Sequence, residues 1–323
     1  MSAAGGDRRD GDRRGRRVRG SMVPEAEFRS YYGRPIIKEP AWTWEVPWYF
    51  FAGGLAGASA SLGLGAGLAG NHRLARAAWT VAGAGGTAGV PLLAADLGRP
   101  ERFLYMLRMF KVTSPLSVGS WVLAAMGPAA VGAVVSDRLG IFPRLGRAAE
   151  VAAGLLGPAL ATYTGTLVAD TAVPVWHEAG RELPFVFAGS AAASAGAAAV
   201  LLAPPGDAGP ARRLVLAGAL LELGAAQAME RRLGELGEPY HQGPAGRLAR
   251  LAKACTATGA GLVAAGGRRR GVAAAGAALV LAGSACERWA VYKAGFQSAR
   301  DPKYIVGPQR ARMAARQSEQ IEP

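Results

Sequence analysis

The chain has 323 residues, of which half are apolar and only 19% are charged. Its formal net charge is +14, but the lysines and arginines lie in the tails and in short segments between long apolar runs. A basic nucleic-acid surface would also give a high net charge, whereas this placement is typical of the flanks of membrane-spanning segments. A soluble domain would instead carry charged residues every few positions along its helices. The composition therefore indicates an integral membrane protein.

The first twenty residues form a basic segment of low complexity, rich in arginine, glycine and aspartate. No apolar run typical of a signal peptide follows them. We expect residues 1–40 to form a disordered tail that is attracted to anionic lipid. Residues 41–293 are then the transmembrane domain, and residues 294–323 are a C-terminal tail.

Eight apolar segments follow the tail, and they predict an all-α bundle of about eight transmembrane helices. A helix needs about 20 residues to cross a hydrocarbon core that is ~30 Å thick. Five segments reach that length almost without charge, namely 48–70, 77–95, 118–136, 151–169 and 184–203. Three are shorter or contain charged residues, namely 214–229, 254–267 and 271–292. Seven spans therefore remain an alternative.

The connection between the second and third segments has an amphipathic pattern. Pro100 and Glu101 suit the first turn of a helix. Phe103, Leu107 and Phe110 then fall on one face of that helix. This pattern predicts a short helix lying in the membrane interface, and a solvated connector is the alternative.

The distribution of basic residues predicts the orientation. An even number of spans places both termini on one side, and that side holds most of the lysines and arginines. The positive-inside rule then places both termini in the cytoplasm, with the bundle in the cell (plasma) membrane.

The chain lacks the usual ligands of redox cofactors. Its two cysteines, Cys255 and Cys286, form no Cys-x-x-Cys pattern, and an iron–sulfur cluster needs several thiolates. The three histidines, His72, His177 and His241, lie in loops or at the ends of spans, where they cannot hold a haem between helices. No nucleotide-binding motif is present. We therefore expect no haem and no iron–sulfur cluster in this chain, and no metal site.

Few ionisable residues lie inside the apolar segments, and each is a functional candidate because its burial in lipid is costly. Glu222 is either a proton relay or a neutral carboxyl bonded to a neighbouring helix. Glu287 is either a second proton-transfer group or the partner of a cation on another helix. Asp170 ends the fourth segment, where it either transfers protons or faces the headgroups. Tyr163 is buried in the same segment, and its hydroxyl needs a partner, either a threonine or a quinone carbonyl.

Several motifs occur together along the chain. Trp-Glu-Val-Pro-Trp-Tyr-Phe-Phe-Ala-Gly-Gly at 44–54 precedes Asp-Leu-Gly-Arg-Pro at 96–100 and Thr-Ser-Pro-Leu-Ser-Val-Gly-Ser-Trp at 113–121. Tyr-Thr-Gly at 163–165 and Ser-Ala-Arg-Asp-Pro-Lys-Tyr at 298–304 complete the pattern. In combination these segments resemble the NrfD/PsrC family, the polysulfide-reductase-type membrane subunits of molybdenum oxidoreductases. The second half of the chain is similar only loosely.

The resemblance implies a membrane anchor without haem, itself non-catalytic, that binds menaquinone or ubiquinone as a substrate. It implies two partners, an iron–sulfur subunit and a molybdopterin catalytic subunit, in a complex similar to formate dehydrogenase or polysulfide reductase. Many members of that family carry these partners outside the cytoplasmic membrane, whereas the charge pattern predicts the quinone face inside.

The family's quinone-site tyrosine corresponds to Tyr163 of this chain. The further quinone-binding candidates are Glu45, Trp48, Tyr49, Asp96 and Arg99. Two alternatives stay open, namely a proton or small-solute transporter that uses the intramembrane carboxylates, and a bare anchor without a quinone pocket.

Overall fold

A computed structural model describes residues 36–96, 102–267 and 269–309. Within these ranges all regular structure is helical, and the described residues belong to one compact unit. The fold class is therefore all-α, as the sequence predicts. The predicted basic tail, up to residue 35, and the end of the predicted C-terminal tail lie outside the described residues.

Eight long helices account for the bundle. They are α1 Glu45–Leu68, α2 His72–Asp96, α4 Pro115–Leu139, α5 Pro143–Ala169, α7 Leu183–Leu202, α8 Gly209–Leu233, α9 Gly243–Gly266 and α10 Arg270–Arg300. The connections contain two short α-helices, α3 Arg102–Met106 and α6 Pro174–Glu178, and two 3-10 segments, Ala179–Arg181 and Gly234–Tyr240. Each predicted span coincides with one long helix.

Four of the long helices, α1, α4, α5 and α7, are long and apolar enough to cross a membrane by length and composition. The total of eight spans stays a prediction. Most of the long helices extend beyond the apolar segments that predict them, because their end turns carry polar and basic residues. Helix α10 in particular continues to Arg300, past the domain boundary predicted at residue 293.

Local sequence signals set the ends of α4. The Ser114 hydroxyl accepts a hydrogen bond from the Ser117 amide, and Pro115 occupies the first turn, where its missing amide proton costs nothing. Gly140 ends the helix in the left-handed region with φ of 67°, a conformation that glycine adopts without a steric penalty.

Glycines let the long helices pack with their backbones in contact. A Cβ atom at Gly57 of α1 would lie 2.5 Å from the Gly157 carbonyl oxygen of α5. A Cβ atom at Gly259 of α9 would lie 2.6 Å from the Gly276 carbonyl oxygen of α10. Such close crossings are typical of membrane helices, where dispersion contacts rather than hydrophobic burial hold helices together.

Polar contacts between connections define the two ends of the bundle. The end at which α1 begins and α2 ends, here called the Glu45 end, has the Thr43 amide donating to Asp96 at 3.0 Å. At the opposite end, the Asn71 side chain donates to the Asp207 carbonyl at 2.9 Å. The long helices therefore alternate in direction between these two ends.

The predicted interfacial helix is shorter than its sequence pattern. Helix α3 ends at Met106, and Pro100 and Glu101 of that pattern lie outside the described residues. Beyond the helix, the Ser117 hydroxyl donates to the Met109 carbonyl and accepts from the Lys111 amide at 3.0–3.1 Å. These side-chain bonds from α4 hold the backbone out of a helical conformation, so Phe110 lies outside the helix.

The orientation prediction can be tested with reporter fusions. Alkaline phosphatase fused after Pro323 should be inactive, because that enzyme folds to activity only outside the cytoplasm and the basic residues place this end inside. A matched fusion in the α1–α2 turn, after Gly70 at the opposite end, should be active. An active phosphatase at Pro323 together with an inactive one at Gly70 would reverse the orientation.

Candidate functional site

A cleft of about 540 Å³ lies between α4 and α5 at the Glu45 end. Pro115 and Val118 of α4 form one side, and Tyr163, Thr166 and Asp170 line the other. Clefts of this size with mostly apolar walls and a few polar groups are typical of small-molecule sites. Two of the residues singled out in the sequence, Tyr163 and Asp170, therefore share one cleft.

The Tyr163 ring is held in place from two directions. Its side chain is 8% exposed, and its ring lies edge-on to Tyr49 of α1, with centroids 6.5 Å apart. A Cβ atom at Gly119 of α4 would lie only 1.9 Å from Cε2 of Tyr163, so the ring occupies the space that a larger residue would fill. No hydrogen bond joins the Tyr163 hydroxyl to another described residue, and the Tyr163 side chain lines the cleft. A donor at the cleft wall is therefore free for a ligand.

Tyr49 extends the aromatic contact into the bundle. Its hydroxyl is buried without a partner among the described residues. Its ring contacts Phe50 at 6.3 Å, and Phe50 contacts Phe187 of α7 at 5.9 Å. A row of rings therefore runs from the cleft to the second turn of α7.

Glu45 and Asp96 meet at one hydroxyl. Thr43 Oγ1 lies within hydrogen-bond distance of Glu45 Oε2 and 3.0 Å from Asp96 Oδ1. A hydroxyl has one proton to donate, so both contacts are hydrogen bonds only when one carboxyl also carries a proton. This arrangement places two acidic groups side by side at the same end as the cleft, although neither lines it.

Trp48, another predicted quinone-binding residue, lies away from the cleft. Trp48 packs edge-on against Phe51 and Trp289, with centroids 6.2 Å from each. Because residues adjacent on a helix point about 100° apart, Trp48 and Tyr49 face different neighbours and do not form one aromatic wall. Arg99 lies outside the described residues.

The two predicted proton-transfer residues of the second half lie elsewhere in the bundle. Glu222 of α8 is 2% exposed and Glu287 of α10 is 4% exposed. Arg288, which is 1% exposed, donates to the Phe187 carbonyl at 2.9 Å, and its guanidinium lies 3.8 Å from the centre of the Phe187 ring. The structure therefore separates these carboxyls from Asp170 and the cleft.

Ion pairs connect the segments around the Glu45 end. Lys303 and the Tyr304 hydroxyl both bond to Glu238, and Lys303 holds the pKa of that carboxyl below its usual value. The same bond raises the pKa of Lys303 to about 12. Because a lowered carboxyl pKa stabilises the fold only above that pKa, acidification through it releases this contact. At neutral pH the segment after α10 is tied to the 3-10 segment after α8.

Sequence reasoning missed Gly119, Thr43 and Phe187. Gly119 lies inside the Ser-x-Gly-Ser-Trp motif. That motif is the sequence signal that could have identified Gly119 as a site residue. Thr43 lies two residues before Glu45 without any motif of its own. Phe187 reads as an ordinary apolar residue of α7.

Metal-binding chemistry finds no support in the described part of the chain. There, no group of three or more histidine, cysteine, aspartate or glutamate side chains is arranged to hold a metal ion. Cys255 and Cys286 are both free thiols.

The long apolar helices are those of a membrane protein, and the cleft lies at one end of the bundle. A family model described as "Polysulphide reductase, NrfD" matches residues 37–205, just over half of the chain. The chain therefore belongs to the NrfD family, and it is a membrane subunit of a polysulfide reductase-like oxidoreductase complex. A search of curated proteins found no match. The matched range contains α1 to α7 and the whole cleft, but not α8, α9 or α10.

Proposed function

We propose that this chain binds a quinone in the cleft between α4 and α5, and thereby links the quinone pool to a partner iron–sulfur subunit. The observation that carries the proposal is the position of Tyr163, which lines an otherwise largely apolar cleft and makes no hydrogen bond to another described residue. A hydroxyl that faces such a cleft can donate to a ligand with an acceptor oxygen. A quinone carbonyl on a flat apolar ring fits both features.

The chain's own residues would bind, orient and protonate the ligand. The Tyr163 hydroxyl would donate to a quinone carbonyl, while the Val118 and Pro115 walls exclude water from the ring. Tyr49 and Gly119 position the Tyr163 ring. Asp170 is exposed at the mouth of the same cleft, where it is placed to exchange protons with the aqueous phase.

Glu45 and Asp96 are proposed as a second acidic group at the same end. The shared Thr43 hydroxyl allows one proton to be held between them. Both carboxyls lie at the same end of the bundle as the cleft, but they do not form part of its wall. We therefore assign them proton exchange at the surface rather than contact with the quinone ring. Trp48 packs against Trp289, and we assign it no contact with the quinone.

The partners are proposed to dock at the Glu45 end, since the cleft lies there. An iron–sulfur subunit would exchange electrons with the bound quinone, and a molybdopterin subunit would lie beyond it, in the plasma membrane complex of an anaerobic respiratory chain. Copurification tests these partners directly, because a transporter brings down no molybdenum protein.

The substitution Tyr163→Phe tests the quinone site, because it keeps the ring and removes only the donor. Quinone-linked turnover of the assembled complex should fall by about tenfold or more, in the range seen when one aimed donor is removed from a dry site. Reduction of an artificial dye should stay unchanged, since the catalytic subunit carries it out.

The matched control is Tyr105→Phe, which makes the same change at a tyrosine that is 60% exposed and outside the cleft. It should leave both activities unchanged. Normal quinone turnover by the Tyr163→Phe complex would show that Tyr163 is structural and would remove the basis of the proposal.

Two buried carboxyls favour proton transport as a second candidate function. Glu222 and Glu287 lie in the middle of α8 and α10, at a depth where transporters place coupling groups. Proteoliposomes that contain the chain alone distinguish the two functions, since a transporter should dissipate a pH gradient without any redox partner.

A further inference from the structure

A group of polar side chains lies buried between α7, α8, α9 and α10, away from the Tyr163 cleft. We call Glu222, Thr256, Glu287 and Arg288 the buried polar cluster; all four are at most 4% exposed. Glu222 Oε2, Thr256 Oγ1 and both Nε and Nη1 of Arg288 have no hydrogen-bond partner among the described residues. Four buried polar atoms in one place without a well-formed hydrogen bond are exceptional and point to a further ligand, although the Glu222 side chain lies near those of Ser190 and Thr256.

The backbone is arranged to make room for these side chains. A Cβ atom at Gly189 of α7 would lie 2.4 Å from the Glu222 amide nitrogen, so a larger residue at 189 would push α8 away from α7 beside Glu222. A Cβ atom at Gly283 would lie 2.5 Å from Thr256 Oγ1, and one at Gly54 would lie 3.4 Å from Arg288 Nη2. Small residues on α7, α10 and α1 therefore surround the cluster.

The charges around the cluster do not balance when every carboxyl is ionised. Lys253 Nζ lies 2.6 Å from both carboxylate oxygens of Glu230, so that pair is neutral. Arg288 then offsets one of the two remaining carboxyls, Glu222 or Glu287, and leaves the other uncompensated. A lone buried charge costs several kcal/mol or more, so the pair of carboxyls favours holding one proton.

Water is the ligand that fits the unpaired atoms. A buried water makes about three hydrogen bonds, as donor and as acceptor. The cluster offers a carboxylate oxygen and a hydroxyl as acceptors and two guanidinium N–H groups as donors. Water molecules bonded to these groups would also carry protons between them.

Ionisable groups continue from the cluster toward one end only. Glu287 is close enough to Glu230 and Lys253 to interact with both electrostatically. Glu230 Oε2 lies 3.9 Å from His241 Nε2, and the His241 side chain is 59% exposed at the Glu45 end. The buried Tyr240 hydroxyl has no partner among the described residues and lies near the carboxyls of Glu287 and Glu230.

Toward the opposite end, no ionisable side chain of α7 to α10 lies between the cluster and Arg213 or Arg270. Between Arg213 and Glu222, α8 is wholly apolar, and between Arg270 and Cys286, α10 contains only small and apolar residues. Helix α7 has no charged residue at all, and α9 has none after Lys253. The remaining titratable groups facing the cluster are thiols, those of Cys255 and Cys286.

We infer that the buried polar cluster is a hydrated proton-binding site that exchanges its proton with the aqueous phase at the Glu45 end only. The exchange route is Glu287, Glu230 with Lys253, and then His241. The site stores a proton in the middle of the bundle and exchanges it at the end where the Tyr163 cleft opens, and it forms no path across the membrane. Its four residues lie on α8, α9 and α10, outside the residues matched by the family model. It does not depend on quinone binding.

Infrared difference spectroscopy of the purified complex tests the inference without quinone. The wild type should show a protonated-carboxyl band that shifts in D2O. Glu222→Gln and Glu287→Gln each keep the shape of the side chain, and the double variant should abolish the band. The matched control Glu235→Gln, at an exposed carboxyl after α8, should leave it intact.

Two further measurements test the route. His241→Gln should keep the band but slow its exchange in D2O by about 10²-fold, the scale of one positioned proton-transfer group. In oriented vesicles, a rapid change of pH should change the band quickly only when it is applied at the Glu45 end. A band that survives the double variant, or that responds equally fast to a pH change on either side, would overturn the inference. If the double variant loses the band but keeps normal Tyr163-dependent quinone turnover, the proton-binding site is functionally separate from the cleft.

Discussion

Replacing Trp176 with alanine should lower the free energy of unfolding by about 3–5 kcal/mol, the range for truncating a fully buried aromatic side chain. Trp176 has no exposed surface, and its indole N–H donates to the Val291 carbonyl at 2.7 Å. Its ring stacks on Trp42 with centroids 5.2 Å apart and an angle of 26°. Gly295 lets the ring lie against α10, since a Cβ atom there would be 1.9 Å from Cε2 of Trp176.

The alanine variant removes the hydrogen bond to Val291, the packing against Gly295 and the stacking on Trp42. Trp176 thereby joins α6 to α10 and to the segment before α1. The loss can be followed by thermal unfolding of the detergent-solubilised protein, monitored by size-exclusion chromatography. Trp121→Ala is the matched control, since Trp121 also donates its indole N–H to a carbonyl, that of Met109, but is 40% exposed. Equal destabilisation by the two substitutions would contradict the assignment of Trp176 to the core.

The sequence was sufficient to locate the helices because membrane spans carry a strong local signal. An uninterrupted run of about 20 apolar residues is rare outside a membrane-spanning helix, and each predicted segment coincides with a long helix. The ends were harder to place. Glycine at 140 and serine at 114 mark the ends of α4 through ordinary capping chemistry, whereas the end of α3 depends on bonds from Ser117 on a later helix.

The candidate site was only partly predictable, because it depends on which helices meet. Tyr163 was identified through a motif, and Asp170 through its place at the end of a span. Their common cleft depends on α4, whose contact with Tyr163 runs through Gly119, a residue with no side chain to draw attention to it. Trp48 shows the opposite outcome. The sequence placed it with Tyr49 among the quinone-binding candidates, whereas in the helix its side chain packs against Trp289.

The buried polar cluster shows the same limit in another form. The sequence identified Glu222 and Glu287 as costly residues inside spans. It did not indicate that Arg288 would bond to the carbonyl of Phe187, because backbone acceptors of other helices carry no sequence signature. Glycines at the helix crossings let α10 lie this close to α7. Which residues these glycines contact is known only from the packed bundle.

Replacing Gly119 with alanine should reduce quinone-linked turnover by about 10²-fold, the loss expected when a positioned group moves by about 1 Å. The new Cβ atom would lie 1.9 Å from Cε2, 2.3 Å from Cδ2 and 2.6 Å from Cζ of Tyr163. No rotamer of alanine avoids this overlap, so the Tyr163 ring or helix α4 must move. Overpacking of this kind costs about 1–3 kcal/mol of stability.

Two controls separate movement of the ring from general damage to α4. Gly132→Ala makes the same change on the same helix at a position with nothing within 4 Å, and it should keep both turnover and stability. Tyr163→Leu should relieve the overlap, so the double variant Gly119→Ala with Tyr163→Leu should be more stable than the sum of the single changes predicts. It should remain inactive with quinone, because the hydroxyl donor is gone. Additive stabilities would mean that Gly119 and Tyr163 do not touch in the folded protein, and the Tyr163 ring would then lie elsewhere than in the cleft wall.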